Sequence, residues 1–432
     1  MKIGIIGMTV TGLSAGAALA LAGFDTVLFC PDDEESAEFL EGNLPVHEQG
    51  LAQCIRKAAE SGKMCFVQRM EPALETDLVL FAERLLPDPA LDDALRFLLR
   101  DIETASRKIS RPTQAAVLTC MPPGSFRILA EHTHEICLER ESESDREQEE
   151  QIPALVLSLM PCTAEPGKTA EWFACPVPAV IGSENPESTG LLRELLRKTG
   201  ASRKRILTGE PEQVESAVWL KKGLDLTLKL FASQAHQSGV ESLFTGLCRQ
   251  LKLPQAEMLP SYENLNLFSE LLEQPLLEDA LEEARFQNDS YINGILETLK
   301  EEVQRAGIPS LENLVIAITG LAQYPGSGDM RGAAQLQLLE KLAATGAVLR
   351  IYVPEGTADL KWRLRNIAGQ AGFFDRLTTA CEDARVLILA GNLKAGLNLT
   401  RISDKMQQNP ILIDPFGIAR GRSGEQLFSG AE

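Results

Sequence analysis

Two short apolar runs at the start of the chain flank a glycine turn and an alanine-rich segment. Residues Ile3–Ile6 are apolar and rich in β-branched side chains, which favours a strand. After the turn at Gly7–Gly12, Leu13–Ala22 contains mostly Ala and Leu and no Pro, which favours a helix. A second apolar run follows at Thr26–Cys30. This order of strand, glycine turn, helix and strand predicts the βαβ unit of a dinucleotide-binding domain.

The glycine turn follows the dinucleotide-binding pattern G-x-G-x-x-G at two of its three glycines. Gly7 and Gly12 are in place, and Thr9 stands at the second glycine. That glycine lets the backbone approach a pyrophosphate, so we expect the Thr9 side chain to crowd it. The acid that holds the ribose hydroxyls would fall at Cys30, and Asp32 can replace it only if the loop bends back. The pattern predicts an NAD site at these positions; the alternative is a Rossmann unit kept as a scaffold.

Further apolar runs in the first half of the chain predict more strands of the same sheet. A helix is predicted over Ala90–Ser106. Residues Leu138–Gln151 form a dense and mostly acidic charge run, which is typical of a solvated loop or a helix end. The predicted strands are Cys65–Val67, Leu78–Ala82, Ala115–Cys120, Leu155–Leu159 and Val177–Ile181.

From Glu212 to about Leu251 the apolar positions recur at steps of three and four residues, which predicts a long connecting helix. More helix is predicted as far as Arg305, with Leu-rich apolar positions among many acids. The surplus of apolar positions predicts a helical centre that can pair with a second copy. The periodic positions are Val214, Val218, Leu220, Leu224, Leu228 and Phe231.

The α/β pattern starts again at Leu314, with a helix predicted over Ala333–Ala344. The fold class predicted is therefore α/β, with two Rossmann-like doubly wound domains joined by a long helix and a helical central domain. The predicted domains span residues 1–205, 206–308 and 309–432. The strands predicted in the last of these are Leu314–Thr319, Ala347–Val353, Val386–Ala390 and Ile411–Asp414.

Composition narrows the classes of partner. The 432 residues include 42 basic and 61 acidic side chains, and the net charge of −19 argues against nucleic acid or an anionic membrane as partner. No apolar run reaches about 18 residues, so no membrane span is expected. The nine cysteines contain no C-x-x-C pair, and the four histidines do not add metal-ligand spacing. We expect reduced thiols in a cytoplasmic protein that holds no metal.

Several local motifs, in this order and spacing, resemble the UDP-glucose/GDP-mannose 6-dehydrogenase family along nearly the whole chain. The resemblance implies an NAD-binding domain, a helical centre, and a C-terminal domain that holds the nucleotide of a nucleotide sugar, in a homodimer. Family members oxidise the sugar 6-hydroxymethyl group to a carboxylate with two NAD, through a thiohemiacetal on a cysteine. The motifs are MKIGIIG at 1–7, LEGNLPVHEQGL at 40–51, PAVIGS at 178–183, GLAQYPGSGDMRG at 320–332, LRIYVPEG at 349–356 and ILIDPFGI at 411–418.

The resemblance implies a nucleophilic cysteine in a glycine-rich loop that would correspond to about residues 260–280. That segment contains neither a cysteine nor a pair of glycines, and nearby Cys248 lies in a predicted helix. The family lysine and asparagine, four residues apart on a helix, would correspond to Lys221 and Asp225, or less closely to Lys222 and Leu226. The alternative is that Lys221 is a solvated lysine on the helix surface. The family glutamate would correspond to Glu165, or to Pro166 with a slip of one residue. The implied catalytic set is therefore Lys221, Asp225 and Glu165, without the nucleophile.

Other family positions also differ. The family threonine corresponds to Cys120, the sugar-binding lysine to Tyr324 and a late arginine to Phe416, whereas Asp329 and Arg331 are kept. The resemblance lets Arg331 reach the cofactor pyrophosphate or the partner subunit, although a structural ion pair explains it equally well.

These differences leave three hypotheses open. The first is a divergent family member that does not perform the full oxidation but binds a nucleotide or nucleotide sugar, or assists an active enzyme. The second is an NAD-dependent dehydrogenase with altered chemistry, for which one two-electron oxidation needs no cysteine. The third is a dimeric scaffold whose acidic run at Leu138–Gln151 docks a basic partner.

Overall fold

The computed structural model divides into two compact units, Met1–Gly223 (unit 1) and Leu224–Glu432 (unit 2). Each unit is built around one largely parallel sheet with helices packed against it. The structure describes residues 1–44, 48–85, 91–143, 153–165, 167–176, 179–201, 206–223, 275–322, 330, 333–353, 364–367, 369–391 and 398–415.

Unit 1 contains an eight-stranded sheet in the order β3-β2-β1-β4-β5-β6-β7-β8. All neighbouring strands are parallel except β6 and β7, which meet antiparallel at Leu159 and Gly182. The strand order shows that β2 and β3 are added on one side of β1, and β4 and the later strands on the other side. The border between β1 and β4 is therefore the topological switch point, where doubly wound sheets bind ligands. The strands are β1 Lys2–Ile6, β2 Asp25–Phe29, β3 Met64–Val67, β4 Leu78–Phe81, β5 Thr113–Val117, β6 Leu155–Leu159, β7 Ala179–Gly182 and β8 Ile206–Gly209.

The helices of unit 1 connect these strands. Helix α1 packs so closely on the sheet that a Cβ at Gly16 would lie 2.8 Å from a methyl of Leu28. Strand β4 is buried at all four positions, as expected for a parallel strand covered on both faces. The helices are α1 Val10–Leu21, α2 Asp33–Glu41, α3 Leu51–Glu60, α4 Glu71–Leu74, α5 Leu91–Ala94, α6 Arg96–Lys108, α7 Ser125–Glu143, α8 Thr169–Ala174, α9 Pro186–Lys198 and α10 at 211–223.

Unit 2 contains a five-stranded parallel sheet in the order β11-β10-β9-β12-β13, with its switch point between β9 and β12. Its strands are β9 Val315–Thr319, β10 Val348–Tyr352, β11 Ala371–Phe374, β12 Val386–Leu389 and β13 Ile411–Ile413. Its helices are α11 Pro275–Arg305, α12 Ala334–Ala343, α13 Leu377–Ala380 and α14 Leu399–Ser403, with a 3₁₀ turn at Arg365–Ile367.

The long helix α11 packs its C-terminal half on the core of unit 2. Ile292, Ile295 and Leu299 are buried there at helical spacing, together with side chains of the sheet and α12. The C-terminal half of α11 therefore packs its apolar face on the second sheet, whereas the apolar pattern of the helical centre led us to expect pairing with a second copy.

The predicted fold class of two Rossmann-like sheets with connecting helices is confirmed. Helix α10 supplies the first turns of the predicted connecting helix, whose continuation from Leu224 to Leu251 lies outside the described residues. The acidic run begins inside α7, so its first residues are helical up to Glu143. Strands β8 and β11 were not predicted. No helix within the described residues is long and apolar enough to cross a membrane.

Candidate functional site

The turn between β1 and α1 lies at the switch point of unit 1 and depends on two glycines. Gly7 has a φ of 106°, and a Cβ there would lie 2.8 Å from the carbonyl carbon of Ala82. A Cβ at Gly12 would lie 2.0 Å from the carbonyl oxygen of Gly7. Both contacts are with backbone, which cannot move aside as a flexible side chain can. The two predicted glycines are therefore required by close approach, and the structure brings them together with Thr9.

Thr9 is the N-cap of α1. Its hydroxyl oxygen accepts a hydrogen bond from the Gly12 amide at 3.3 Å and its hydroxyl donates to the Ala82 carbonyl oxygen at 2.5 Å. Ala82 directly follows β4, so the Thr9 side chain connects the two strands that border the switch point. The size of the Thr9 side chain led us to expect that it crowds a cofactor. In the structure its hydroxyl makes two hydrogen bonds, to the Gly12 amide and the Ala82 carbonyl oxygen.

The start of α1 fits the pyrophosphate of NAD. The first amides of a helix have no acceptor within the helix, and they carry the positive end of its dipole. Helix α1 has no acidic residue in its first turn, whereas α2 has Asp33, Glu34 and Glu35 there. Of the two helices that follow β1 and β2, α1 therefore offers an anion the better N-terminus.

Asp32, the predicted ribose ligand, is the N-cap of α2. One carboxylate oxygen accepts hydrogen bonds from the amides of Glu34 at 2.8 Å and Glu35 at 3.2 Å. An N-cap aspartate of this kind stabilises its helix by roughly 1 kcal/mol. The structure thus gives this side chain a structural role in addition to any role in binding.

The predicted catalytic residues occupy separate elements. Glu165 lies in the loop before α8, exposed, and its carboxylate accepts from the Lys168 ammonium at 2.7 Å. Lys221 is exposed on α10, and its neighbour Lys222 places its ammonium 5.5 Å from the centre of the Trp219 ring. Asp225 lies outside the described residues.

Several other implied positions also fall outside the described residues. They are Pro166, Cys248, residues 260–274, Tyr324, Asp329, Arg331 and Phe416, whereas residues 275–280 form the start of α11.

Glu48 is a buried carboxylate that shapes the loop carrying Glu165. It is 2% exposed and accepts hydrogen bonds from the amides of Gly167 at 2.8 Å and Thr169 at 2.6 Å. Burial raises the pKa of this carboxyl, and the backbone donors oppose the rise. In the sequence, only the position of Glu48 within the motif LEGNLPVHEQGL indicated that this residue belongs to the site.

Glu215 anchors α10 to the turn that follows β5. It is 2% exposed, and its two oxygens accept from the Gly124 amide at 2.7 Å and the Phe126 amide at 2.8 Å, at the N-terminus of α7. Burial raises the pKa of Glu215 to about 7, against the two backbone donors. This carboxylate was missed because it stands within the apolar pattern around Val214 and Val218.

Two cysteines lie close together beyond the carboxyl ends of β5 and β6. The Cys120 thiol donates to the Cys162 carbonyl oxygen at 2.9 Å. Burial raises the pKa of the Cys162 thiol, an effect that the nearby charge of Lys222 opposes. Cys120 is the residue at the family threonine position. Lys222 on α10 brings a basic side chain to this edge of the sheet.

Two carboxyl groups interact close to the switch point: Glu83, two residues after β4, and Asp101 on α6. Burial and the neighbouring Asp101 raise the pKa of Glu83. Burial also raises the pKa of Asp101, which the Arg100 guanidinium opposes through a 3.0 Å hydrogen bond. The described residues contain no group of three or more His, Cys, Asp or Glu that could hold a metal ion.

The switch point of unit 2 is also formed by backbone in close contact. Gly320 has a φ of 81°, and a Cβ there would lie 2.5 Å from the Gly391 amide nitrogen. The Gln335 side-chain amide donates to the Ala390 carbonyl oxygen at 3.3 Å. This edge of unit 2 thus joins β9, β12 and the start of α12.

Curated relatives match almost the full length of the chain. UDP-glucose 6-dehydrogenase AglM of Haloferax volcanii is 22% identical over 98% of this chain and 98% of its own length. UDP-glucose 6-dehydrogenase of Rickettsia typhi is 21% identical over 96% of this chain and 94% of its own.

Solved structures show the same fold. A UDP-glucose dehydrogenase from Pyrobaculum islandicum superposes with a TM-score of 0.75 at 18% identity, covering 96% of this chain and 94% of that one. A UDP-D-ManNAc dehydrogenase from Pyrococcus horikoshii gives a TM-score of 0.72 at 19% identity, covering 98% and 96%.

The family model that matches describes the NAD-binding domain of the UDP-glucose/GDP-mannose dehydrogenase family, and it spans residues 1–199. This match covers the β1–α1 turn, the N-cap of α2 and the loop around Glu48. The resemblance predicted from the motifs is thereby confirmed: residues 1–199 match the NAD-binding domain of the UDP-glucose/GDP-mannose dehydrogenase family, and the similarity to UDP-glucose 6-dehydrogenases continues along the rest of the chain.

Proposed function

We propose that this protein binds NAD and a nucleotide sugar and does not complete the four-electron oxidation to a uronate. The observation that carries the proposal is the distribution of cysteines: none occurs between Cys248 and Cys381. A covalent thiohemiacetal needs a thiol at the sugar, and without it the second oxidation has no covalent intermediate. The names of the relatives supply the class of ligand, a UDP-linked sugar.

The residues of unit 1 divide the work of binding the cofactor. Gly7 and Gly12 let the turn pack closely on itself and on Ala82, and the N-terminus of α1 would meet the charge of the pyrophosphate. Thr9 holds the turn against the residue after β4. When bound, NAD supplies a hydride acceptor.

The test is calorimetry with NAD⁺, UDP and UDP-glucose on the purified protein, followed by quantitation of NADH per molecule of sugar. We expect binding of NAD⁺ and of the UDP sugar, and no uronate. Two equivalents of NADH with uronate as product would refute the proposal.

A two-electron oxidation is the second candidate, because unit 1 retains the NAD-binding turn and α10 presents two lysines at adjacent positions. One equivalent of NADH with an aldehyde product would support it. Lys221→Ala and Glu165→Gln then test the predicted bases, with Lys168→Gln as the control for loss of the exposed pair. Unchanged turnover in Lys221→Ala would remove Lys221 from this role.

Pairing of two copies is proposed from exposed apolar side chains on helices. Leu220 on α10 is 64% exposed and Phe286 on α11 is 66% exposed. Large apolar side chains left in water favour association. Light scattering of Leu220→Glu and Phe286→Glu tests this: a dimer that persists unchanged in both variants would exclude these surfaces.

A further inference from the structure

The carboxyl end of β2 lacks an acid at the expected position. In NAD-binding Rossmann domains a carboxylate there accepts hydrogen bonds from the adenosine ribose. Here the residue directly after β2 is Cys30, which is fully buried. A buried thiol offers one weak donor and cannot accept two hydroxyl groups as a carboxylate does.

Two of the acids that follow are already engaged within the fold. Asp32 uses one carboxylate oxygen to accept from two amides at the start of α2. Asp33 accepts from the side-chain amide of Gln68, the residue that follows β3. Their carboxylates are therefore held by α2 and by the end of the neighbouring strand.

Glu35 is the acid whose carboxylate is held against the end of β2. The Cys30 thiol donates to Glu35 Oε2 at 3.7 Å, within range for a sulfur donor, and also contacts the Asp32 carbonyl oxygen at 3.3 Å. Burial raises the pKa of Cys30 to about 11, and the Glu35 charge adds to the rise, so the thiol keeps its proton at neutral pH. Glu35 itself is exposed, so its other oxygen can meet a ligand.

We infer that Glu35 is the carboxylate that binds the adenosine ribose hydroxyls of NAD, and that Cys30 is its positioning residue. This assignment replaces one acid at the strand end by a pair: a buried thiol at the strand end and an acid from the first turn of α2. It rests on the NAD-binding domain of residues 1–199 and is independent of what the protein does to a sugar.

The same arrangement selects against a 2′-phosphate. A phosphate on the ribose would meet the Glu35 carboxylate, with Asp32, Asp33 and Glu34 adjacent in sequence and of the same sign. Negative charges that lie close together repel each other, so we expect a lower affinity for NADP than for NAD.

The experiment is calorimetric titration of the full-length protein with NAD⁺, NADP⁺ and ADP-ribose. Glu35→Gln is expected to weaken NAD⁺ and ADP-ribose by about tenfold or more, because charge-assisted hydrogen bonds are lost. The same variant is expected to bring the dissociation constants of NAD⁺ and NADP⁺ closer together. Cys30→Ala is expected to weaken NAD⁺ by a smaller factor, because Glu35 loses its donor.

Two variants serve as controls. Asp32→Asn keeps an efficient N-cap, so NAD⁺ affinity should stay within about twofold of the unsubstituted protein. Glu38→Gln removes an exposed charge farther along the same helix and should also leave affinity unchanged. Circular dichroism confirms that each variant is folded.

Three outcomes would overturn the inference. They are an unchanged NAD⁺ affinity in Glu35→Gln, a large loss in Asp32→Asn instead, or no binding of NAD⁺ to the unsubstituted protein. Binding of NAD⁺ without any effect of UDP-glucose would leave the inference intact and would count against the proposed function alone.

Discussion

The two sheets share one strand order around their switch points and differ in the connection that follows the central strand. In unit 1, α1 begins at Val10, directly after the turn that follows β1 at Ile6. In unit 2, β9 ends at Thr319 but α12 begins only at Ala334. The start of α12 nevertheless reaches its switch point, because the Gln335 side-chain amide donates to the carbonyl oxygen of Ala390, directly after β12. One topology thus brings a helix N-terminus to the switch point in both units, and the units differ in the length of the connection that leads to it.

The two switch points also treat a threonine differently. The Thr9 hydroxyl makes two hydrogen bonds within unit 1. The Thr319 hydroxyl, at the end of β9, is fully buried and makes none. The side-chain oxygen of Gln335 is likewise buried without a partner. A buried hydroxyl without a partner costs free energy, so we infer that the threonine hydroxyl stabilises the switch point of unit 1 and not that of unit 2.

The largest expected effect comes from adding a methyl group at the glycines. Gly12→Ala places a carbon 2.0 Å from the Gly7 carbonyl oxygen, and Gly391→Ala places one 2.2 Å from that of Gly320. Each should lower the free energy of unfolding by about 3 kcal/mol or more, measured by urea denaturation. NAD⁺ binding should be lost only in Gly12→Ala.

Gly190→Ala provides the control for this comparison. Gly190 lies inside α9, and nothing lies within 4 Å of a Cβ placed there. Alanine favours a helix, so the free energy of unfolding should rise by up to about 1 kcal/mol. Loss of NAD⁺ binding in Gly391→Ala would show that the two switch points are not independent.

Buried carboxylates give a second difference between the units. Glu215 in unit 1 is buried with a pKa of about 7, against 4.5 for an unperturbed glutamate. No carboxylate is buried in the described residues of unit 2. Between these pH values Glu215 therefore keeps a proton in the folded protein that it loses in the unfolded chain, and its contribution to the stability of unit 1 should fall as pH rises from about 5 to 8.

Glu215→Gln should remove a pH-dependent change on the order of 2 kcal/mol in the free energy of unfolding. Urea denaturation at several pH values, followed by tryptophan fluorescence, to which the buried Trp172 and Trp219 contribute, measures it. Glu131→Gln, an exposed position on the helix that Glu215 caps, should keep the pH dependence of the unsubstituted protein. Equal slopes for the two variants would contradict the role of Glu215.

Most strands could be predicted because parallel strands that are covered on both faces form continuous apolar runs. The two missed strands, β8 and β11, are four residues long and have no buried position, so they lack the longer apolar run of a strand covered on both faces. Within the site, Gly7 and Gly12 were predictable because close backbone contact demands glycine. The cap made by Asp32 and the buried Glu48 depend on the path of distant loops, which no local pattern contains.

The smallest expected effects compare the two threonines directly. Thr9→Val keeps the shape and removes both hydrogen bonds, leaving the Ala82 carbonyl without its donor, so unfolding should become about 1–2 kcal/mol easier. Thr319→Val removes a buried hydroxyl that has no partner, so stability should be unchanged or rise by up to about 1 kcal/mol. Thr9→Ser, which keeps the hydroxyl, should restore most of the loss. Equal destabilisation by both valines, measured by urea denaturation, would mean that shape rather than hydrogen bonding distinguishes the two switch points.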